Sequence, residues 1–242
     1  MVSILVTGAN RGIGLGLVRQ LVQEPTTSIV IATARDVGSA KDLLAIISPK
    51  LHLVQLEITN DGSIARAVVA VASIVGDDGL DILVNNAGIL VEAQLADADL
   101  SRSFVLEQLE VNTVAPLMMA NKFRPLLKQA AEKKRTAQIA NISATLGSLE
   151  MAPHITTPMP TAIYAMSKAA LNMLTRKLAV EWKKDKIRAT SFCPGWVKTD
   201  LGTDAAIMTL DESTVPLAKL ILSLSDNHNG GFYSFEGDKI PW

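Results

Sequence analysis

The residues best suited to chemistry are Tyr164 and Lys168, which stand four positions apart in the segment YAMSK. On a helix, residues spaced in this way share a face, so the phenol and the ammonium would be neighbours. A free tyrosine has a pKa of about 10 and transfers protons poorly at neutral pH, but a nearby ammonium stabilises its phenolate. Lowering that pKa to about 7 would require roughly 4 kcal/mol of differential interaction. The spacing predicts a tyrosine that protonates the alkoxide formed when hydride reaches a carbonyl carbon.

A serine hydroxyl is expected to assist this proton transfer. Ser143 ends the apolar run AQIANIS. At the end of a strand, its hydroxyl can donate a hydrogen bond to a developing oxyanion. The three histidines, His52, His154 and His228, are scattered along the chain and have no metal-ligand spacing, so no metal site is predicted.

A glycine-rich turn, VTGANRGIGLG, lies close to the beginning of the chain and includes Gly8, Gly12 and Gly14. It follows a predicted strand and precedes a predicted helix. Glycines at such a turn let backbone N–H groups approach a phosphate at the helix N-terminus, where the helix dipole favours negative charge. The turn therefore predicts a site for the pyrophosphate of a dinucleotide.

The residues after the second predicted strand indicate which dinucleotide is bound. About 20 positions after the glycines, NAD sites carry an acidic residue that binds the adenine ribose. Here Ala34 takes that position, Arg35 follows it, and Arg11 lies inside the glycine turn. Two guanidinium groups suit a 2′-phosphate, so the sequence predicts NADP(H). The neighbouring Asp36 could neutralise Arg35.

Short apolar runs alternate with longer helical segments along the chain. The runs are SILVT, SIVIATA, LHLVQL, DILVNNA, AQIANIS and IRATSFC, and the helical segments include GLGLVRQLVQE, SIARAVVAVASIV and YAMSKAALNMLTRKLAVEW. This alternation predicts parallel β-α-β units. No Pro/Gly/Ser-rich linker interrupts it, so residues 1–242 are predicted to form one α/β domain with a doubly wound parallel sheet. The segments 146–160 and 199–210 follow predicted strands at the edge where such sheets bind ligands.

Composition argues against several classes of protein. The net charge of −1 gives no field that would attract nucleic acid or an anionic membrane. Cys193 is the one cysteine, which excludes an intrachain disulfide and fits a reducing compartment. No apolar stretch approaches the ~18 residues of a membrane helix, and MVSILVTG lacks the features of a signal peptide. A cytoplasmic protein without nucleic-acid or membrane partners is expected.

Further motifs follow the glycine turn in a recognisable order. They are NNAG at 85–88, Asn112 in EVNTVAP, Ser143 in NISA, Tyr164 and Lys168 in YAMSK, and PGWVKT from Pro194. This set, which covers essentially the whole chain, resembles the short-chain dehydrogenase/reductase superfamily. The segments TGANRGIGLGLV, PGWVKTDLG and NGGFYSFEGDKIPW are similar to its carbonyl-reductase branch, which includes Sniffer and C-factor-like proteins. The resemblance implies a Rossmann fold of about seven strands and NADPH-dependent reduction of an aldehyde, ketone or quinone.

The resemblance also implies roles for individual residues. The catalytic residues would be Asn112, Ser143, Tyr164 and Lys168, with Asn112 holding a water in the proton relay and Lys168 also binding the nicotinamide ribose. The implied cofactor-binding residues are Gly8, Asn10, Arg11, Gly12, Ile13, Gly14, Arg35, Glu57, Ile58, Asn85, Ala87, Gly88, Tyr164, Lys168, Pro194, Gly195, Val197 and Thr199. A homo-oligomer, dimer or tetramer, is expected, and a monomer stays open.

Two features depart from the family pattern. Ser143 and Tyr164 are 21 positions apart, where a much shorter gap is common, and the additional residues are expected to shape the substrate pocket. Glu57 stands where relatives usually have Asp beside the adenine. Two alternatives remain, because a fold does not decide function. One is a non-catalytic NADP(H)-binding sensor or interaction protein, and the other is an NAD-dependent alcohol dehydrogenase, which would favour an acid in place of Ala34.

Overall fold

Seven parallel strands form one sheet in this computed structural model, which describes residues 1–93, 95–96, 100–134, 136–157 and 159–242. The strands are β1 (Val2–Val6), β2 (Thr27–Ala34), β3 (Leu51–Gln55), β4 (Ile82–Asn85), β5 (Ala137–Ile142), β6 (Ile187–Cys193) and β7 (Phe232–Ser234). Their order is β3-β2-β1-β4-β5-β6-β7, and every neighbouring pair is parallel. The strand order reverses between β1 and β4, which is the topology of a Rossmann fold. The predicted fold class is confirmed.

Helices cover both faces of the sheet. They are α1 (Gly12–Leu21), α2 (Lys41–Leu44), α3 (Asp61–Val75), α4 (Arg102–Leu109), α5 (Ala115–Lys134), α6 (Ala162–Glu181) and α7 (Leu210–Ser223). Buried residues of α1 and α7 form a hydrophobic cluster on one face, and those of α3, α5 and α6 form the cluster on the other. Because both faces are covered, the strands are rich in apolar residues throughout. Within the described ranges, no helix is long and apolar enough to cross a membrane.

About seven strands were expected, but the apolar runs and helical segments quoted from the sequence do not cover α2, α4, α5, α7 or the short strand β7. Pro125 lies inside α5 and Pro216 lies inside α7. A proline removes a helical hydrogen bond, so its presence argues against a helix when the sequence alone is considered. Burial compensates here, as shown by Phe123 of α5, which is completely buried.

The carboxyl ends of the strands bring the predicted site residues to one edge of the sheet. The glycine turn follows β1, Arg35 follows β2, Glu57 and Ile58 follow β3, Asn85 ends β4, Ser143 follows β5, and residues 194–199 follow β6. Carboxyl ends of parallel strands next to the reversal of strand order form the ligand crevice of open α/β sheets. The fold therefore positions these residues around a common crevice.

Candidate active site

The glycine turn has the geometry of an anion-binding site. Gly8 and Gly12 have φ angles of +62° and +52°, in the left-handed region that favours glycine. An ideal Cβ at Gly14 would lie 2.3 Å from the carbonyl oxygen of Gly8, so no other residue fits there without a shift. The first turn of α1 contains no acidic residue. Its N–H groups and the helix dipole are therefore suited to a phosphate.

Asn86 holds this turn against the end of β4. Its Nδ2 donates to the carbonyl oxygens of Thr7 at 2.8 Å and Gly8 at 3.2 Å. The Thr7 hydroxyl in turn accepts from the backbone N–H groups of Asn86 and Ala87, each at 3.0 Å. The sequence prediction included neighbouring residues of NNAG but missed Asn86 and Thr7. The second asparagine of that motif was the available signal.

The two arginines predicted to bind a 2′-phosphate have different partners. Arg35 is largely exposed, and its Nε lies 4.0 Å from Oε2 of Glu57. Asp36, which was expected to compete for Arg35, instead accepts a hydrogen bond from the N–H of Gly38 at 3.0 Å. Its pKa is lowered, chiefly by a hydrogen bond from Ser39. Glu57 therefore takes the place expected for Asp36.

Arg11 forms an ion pair across the crevice. Its Nη1 lies 2.6 Å from Oδ2 of Asp200, with both side chains mostly exposed. The segment after β6 is close to the glycine turn here, because Cγ2 of Thr199 is 3.4 Å from an ideal Cβ at Gly12. Trp196 closes this segment by donating from Nε1 to the carbonyl of Gly202 at 2.8 Å. Thr199 and Asp200 are thus brought beside the glycine turn.

Three buried side chains form the centre of the site: Ser143, Tyr164 and Lys168 are 1%, 8% and 4% exposed. Lys168 Nζ donates to the carbonyl of Ile142 at 2.8 Å and lies 5.4 Å from the centroid of the Tyr164 ring. The adjacent Ser143 hydroxyl is buried and has no hydrogen-bond partner among the described residues. A buried polar atom without a partner carries a free-energy penalty that a bound ligand can remove.

Burial moves the pKa values of Tyr164 and Lys168 in opposite directions, because it disfavours the charged form of each group. It raises the pKa of Tyr164, and a smaller electrostatic contribution from Cys193 acts in the same direction. It lowers the pKa of Lys168 to about 8, although Cys193 opposes the change. The expected lowering of the Tyr164 pKa is therefore wrong for this arrangement. The phenol stays protonated, which suits a proton donor.

Asn112 links three parts of the site from a π-helical turn, Glu110–Val114, between α4 and α5. Its Oδ1 accepts from the N–H of Ile89 at 2.9 Å, and its Nδ2 donates to the Ile89 carbonyl at 2.8 Å and to Ser167 Oγ at 3.0 Å. An ideal Cβ at Gly88 would lie 3.2 Å from Asn112 Oδ1 and 3.6 Å from Lys168 Nζ. The structure thus brings Gly88, Asn112 and Lys168 together.

Comparison with known proteins identifies the family. The short chain dehydrogenase model matches residues 3–208. The chain belongs to the short-chain dehydrogenase family. The carbonyl reductase Sniffer of D. melanogaster is 35% identical, with all of both chains covered and a TM-score of 0.92. The NADPH-bound carbonyl reductase from chicken fatty liver is 38% identical over 99% of this chain and 98% of that chain, also with a TM-score of 0.92. A short-chain dehydrogenase of Neurospora crassa, srdF, is 31% identical over 99% of this chain and 97% of its own.

Cys193 is a site residue that the prediction missed in this short-chain dehydrogenase, because it was considered only as evidence about compartment. Its Sγ accepts hydrogen bonds from Thr145, from the backbone N–H at 3.3 Å and from the hydroxyl at 3.0 Å. Thr145 begins the turn after Ser143, and Gly147 in this turn packs so closely that an ideal Cβ would lie 2.7 Å from the backbone of Lys168. The position of Cys193 directly before PGWVKT was the available signal.

Pro158, in the predicted substrate segment 146–160, lies outside the described residues.

Proposed function

We propose that this short-chain dehydrogenase is an NADPH-dependent carbonyl reductase that converts an aldehyde, ketone or quinone into an alcohol. The observation that carries the proposal is the buried Ser143 hydroxyl, which has no hydrogen-bond partner among the described residues. Ser143 directly follows Ile142, whose carbonyl accepts a hydrogen bond from Lys168. Tyr164, whose ring lies close to Lys168, would supply the second O–H donor to the same substrate oxygen. The similarity to Sniffer and to the chicken carbonyl reductase supports the same substrate class.

The residues present fit NADPH. The positive φ angles of the glycine turn and the open first turn of α1 suit its pyrophosphate, and Arg35 offers an exposed guanidinium to a 2′-phosphate. Lys168 would bind the nicotinamide ribose, and residues 194–199 would hold the carboxamide. When bound, NADPH supplies the hydride that adds to the carbonyl carbon.

The side chains of this site would stabilise and then protonate the substrate oxygen. Ser143 Oγ donates a hydrogen bond to that oxygen as negative charge develops on it. Tyr164 then transfers its phenolic proton to the same oxygen, since burial has kept the phenol neutral until that point. Lys168, held by the Ile142 carbonyl, offers a nearby positive charge to the resulting phenolate.

The asparagine of the proton relay would act through its backbone. Both N–H groups of the Asn112 amide already have acceptors, Ile89 and Ser167. Pro116, four positions after Asn112, has no N–H with which to bond the Asn112 carbonyl in the usual helical way. The relay water that the family resemblance implies would therefore bind the Asn112 carbonyl rather than its side chain.

A substrate screen tests the proposal. Wild-type protein is incubated with NADPH and a panel of aldehydes, ketones and quinones. The oxidation of NADPH is followed at ~340 nm, and we expect turnover with at least one of these classes, at typical kcat values of about 1–10³ s⁻¹. NADPH binding without turnover across the panel would favour the non-catalytic sensor. Turnover only with NAD⁺ and an alcohol would favour the alcohol dehydrogenase.

The preference for NADPH over NADH is expected to depend on Arg35. Arg35→Ala should weaken NADPH binding by about tenfold or more, because a charge-assisted hydrogen bond is worth roughly 1.5–3 kcal/mol. NADH binding should change little, and calorimetry gives both dissociation constants. Arg19→Ala, at an exposed position at the far end of α1, makes the same change in charge and should alter neither constant. Equal weakening of both cofactors by Arg35→Ala would contradict the assignment.

A further inference from the structure

Three polar side chains form a row across the sheet below the catalytic residues. Asn85 of β4 stands opposite Asn141 of β5, which stands opposite Ser191 of β6. Their side chains are 3%, 0% and 0% exposed. Asn85 Nδ2 donates to Asn141 Oδ1 at 2.9 Å. Polar groups as buried as these would destabilise the fold unless they were hydrogen-bonded.

Thr175 of α6 joins this row to the helix that carries the catalytic pair. Its hydroxyl accepts from Asn141 Nδ2 at 2.8 Å and lies 2.7 Å from Ser191 Oγ. It also donates to the carbonyl of Leu171 at 3.0 Å. A hydroxyl has one proton to give, so Ser191 must be the donor to Thr175. We call Asn85, Asn141, Thr175 and Ser191 the polar belt.

The polar belt separates the hydrophobic core from the active site. The row of residues two positions earlier on the same strands is apolar: Leu83, Ile139 and Ala189 stand opposite one another and belong to the core under α6. Two positions after the belt, Ser143 and Cys193 face the same side, because side chains alternate along a strand. The belt is thus the last buried layer below the reacting groups.

The spacing on α6 connects the belt to the chemistry. Thr175 follows Lys168 by seven positions and Tyr164 by eleven, which are about two and three helical turns. All three side chains therefore lie on the face directed at the sheet. Apolar packing is non-directional and tolerates small rotations, whereas hydrogen bonds require a defined geometry. Hydrogen bonds from two strands to one hydroxyl define both the rotation and the axial position of α6.

We propose that Thr175 is a positioning residue, which through the polar belt fixes α6 so that Tyr164 and Lys168 meet the end of β5 in reactive geometry. This inference rests on the proposed carbonyl reductase function. A displacement of about 1 Å at a reacting group can reduce turnover by about 10²-fold. Ser143 lies on the sheet and not on α6, so a shift of the helix would separate the proton donors.

The test compares Thr175→Val, which keeps the shape and removes the hydroxyl, with Thr175→Ser, which keeps the hydroxyl. At saturating NADPH, Thr175→Val is expected to lower kcat roughly 10–100-fold and to change KM for the carbonyl substrate by less than about threefold. Thr175→Ser is expected to retain kcat within about threefold of wild type. The matched control is Leu178→Ala, one turn further along α6 and 5% exposed, which should lower the Tm without a comparable loss of kcat.

Two results would overturn the inference: a Thr175→Val protein with wild-type kcat, or a Thr175→Ser protein as impaired as Thr175→Val. If Thr175→Val does not fold, Ser191→Ala removes a single donor to Thr175, and its kcat should fall about three- to tenfold.

If the wild type reduces no carbonyl, the proposed function fails. The positioning role is then decided by NADPH fluorescence titration. Weaker binding by Thr175→Val, restored in Thr175→Ser, supports it, and equal affinities reject it.

Discussion

Tyr164→Phe is expected to lower kcat by about 10³-fold, within the range of roughly 10²–10⁴ that a positioned proton donor contributes. The substitution removes the phenolic oxygen and leaves the ring, which is 8% exposed and lies 5.4 Å from Lys168 Nζ. NADPH affinity should stay within about threefold of wild type, since the ring still fills its place. Single-turnover kinetics with a carbonyl that the wild type reduces, together with fluorescence titration of NADPH, measure the two effects separately.

The chain offers a matched control, because its one other tyrosine is Tyr233 of β7. The Tyr233 hydroxyl donates to the carbonyl of Asn227 at 3.4 Å. It takes part in none of the contacts described above for the candidate active site. Tyr233→Phe should therefore retain wild-type kcat. A Tyr164→Phe enzyme with ordinary turnover would show that another group donates the proton.

Lys168→Met is expected to remove activity and, at pH 7, to make the protein more stable. Burial lowers the pKa of Lys168 from 10.5 to about 8, so the folded state disfavours the ammonium. At 1.36 kcal/mol per pKa unit, that difference is about 3 kcal/mol. The Ile142 carbonyl loses its donor in the variant, which costs about 1–3 kcal/mol. We therefore expect a net gain of up to about 2 kcal/mol in the free energy of unfolding.

The pH dependence of this gain follows from the direction of the shift. Below pH 8 the lysine is protonated in both the folded and the unfolded state, and the wild type carries the full penalty of the buried charge. As the pH rises from about 8 towards 10.5, the folded state is already neutral while the unfolded state still binds the proton. The wild type therefore becomes more stable relative to the variant over this range. Urea unfolding at pH 7 and at pH 10 measures the change.

Lys177→Met is the control for this prediction. Lys177 lies on the same helix, is mostly exposed, and pairs with Glu181 at 3.3 Å. Exposed ion pairs of this kind contribute about 0.2–1 kcal/mol, so the variant should be close to wild type in stability. If Lys168→Met were less stable than wild type at pH 7, or if its difference from wild type did not change with pH, the buried lysine would not carry the inferred penalty.

The sequence by itself determined the family, the fold class and six of the seven strands. These features depend on local signals: apolar runs of strand length, glycines between the first strand and the first helix, and the four-residue spacing of Tyr164 and Lys168. That spacing fixes which residues share a helical face. It does not fix how deeply they are buried, and burial is what raises the pKa of Tyr164 where the sequence had predicted the opposite.

The tertiary structure alone decided which residues become partners. Arg11 pairs with Asp200, which lies 189 positions away, and Glu57 approaches Arg35 where the neighbouring Asp36 had been expected. The polar belt joins three strands and a helix, and of its members only Asn85 was singled out from the sequence. A buried asparagine or threonine resembles an exposed one until the sheet register is known. Long-range pairing and burial arise from packing of the whole chain, and local sequence patterns do not specify them.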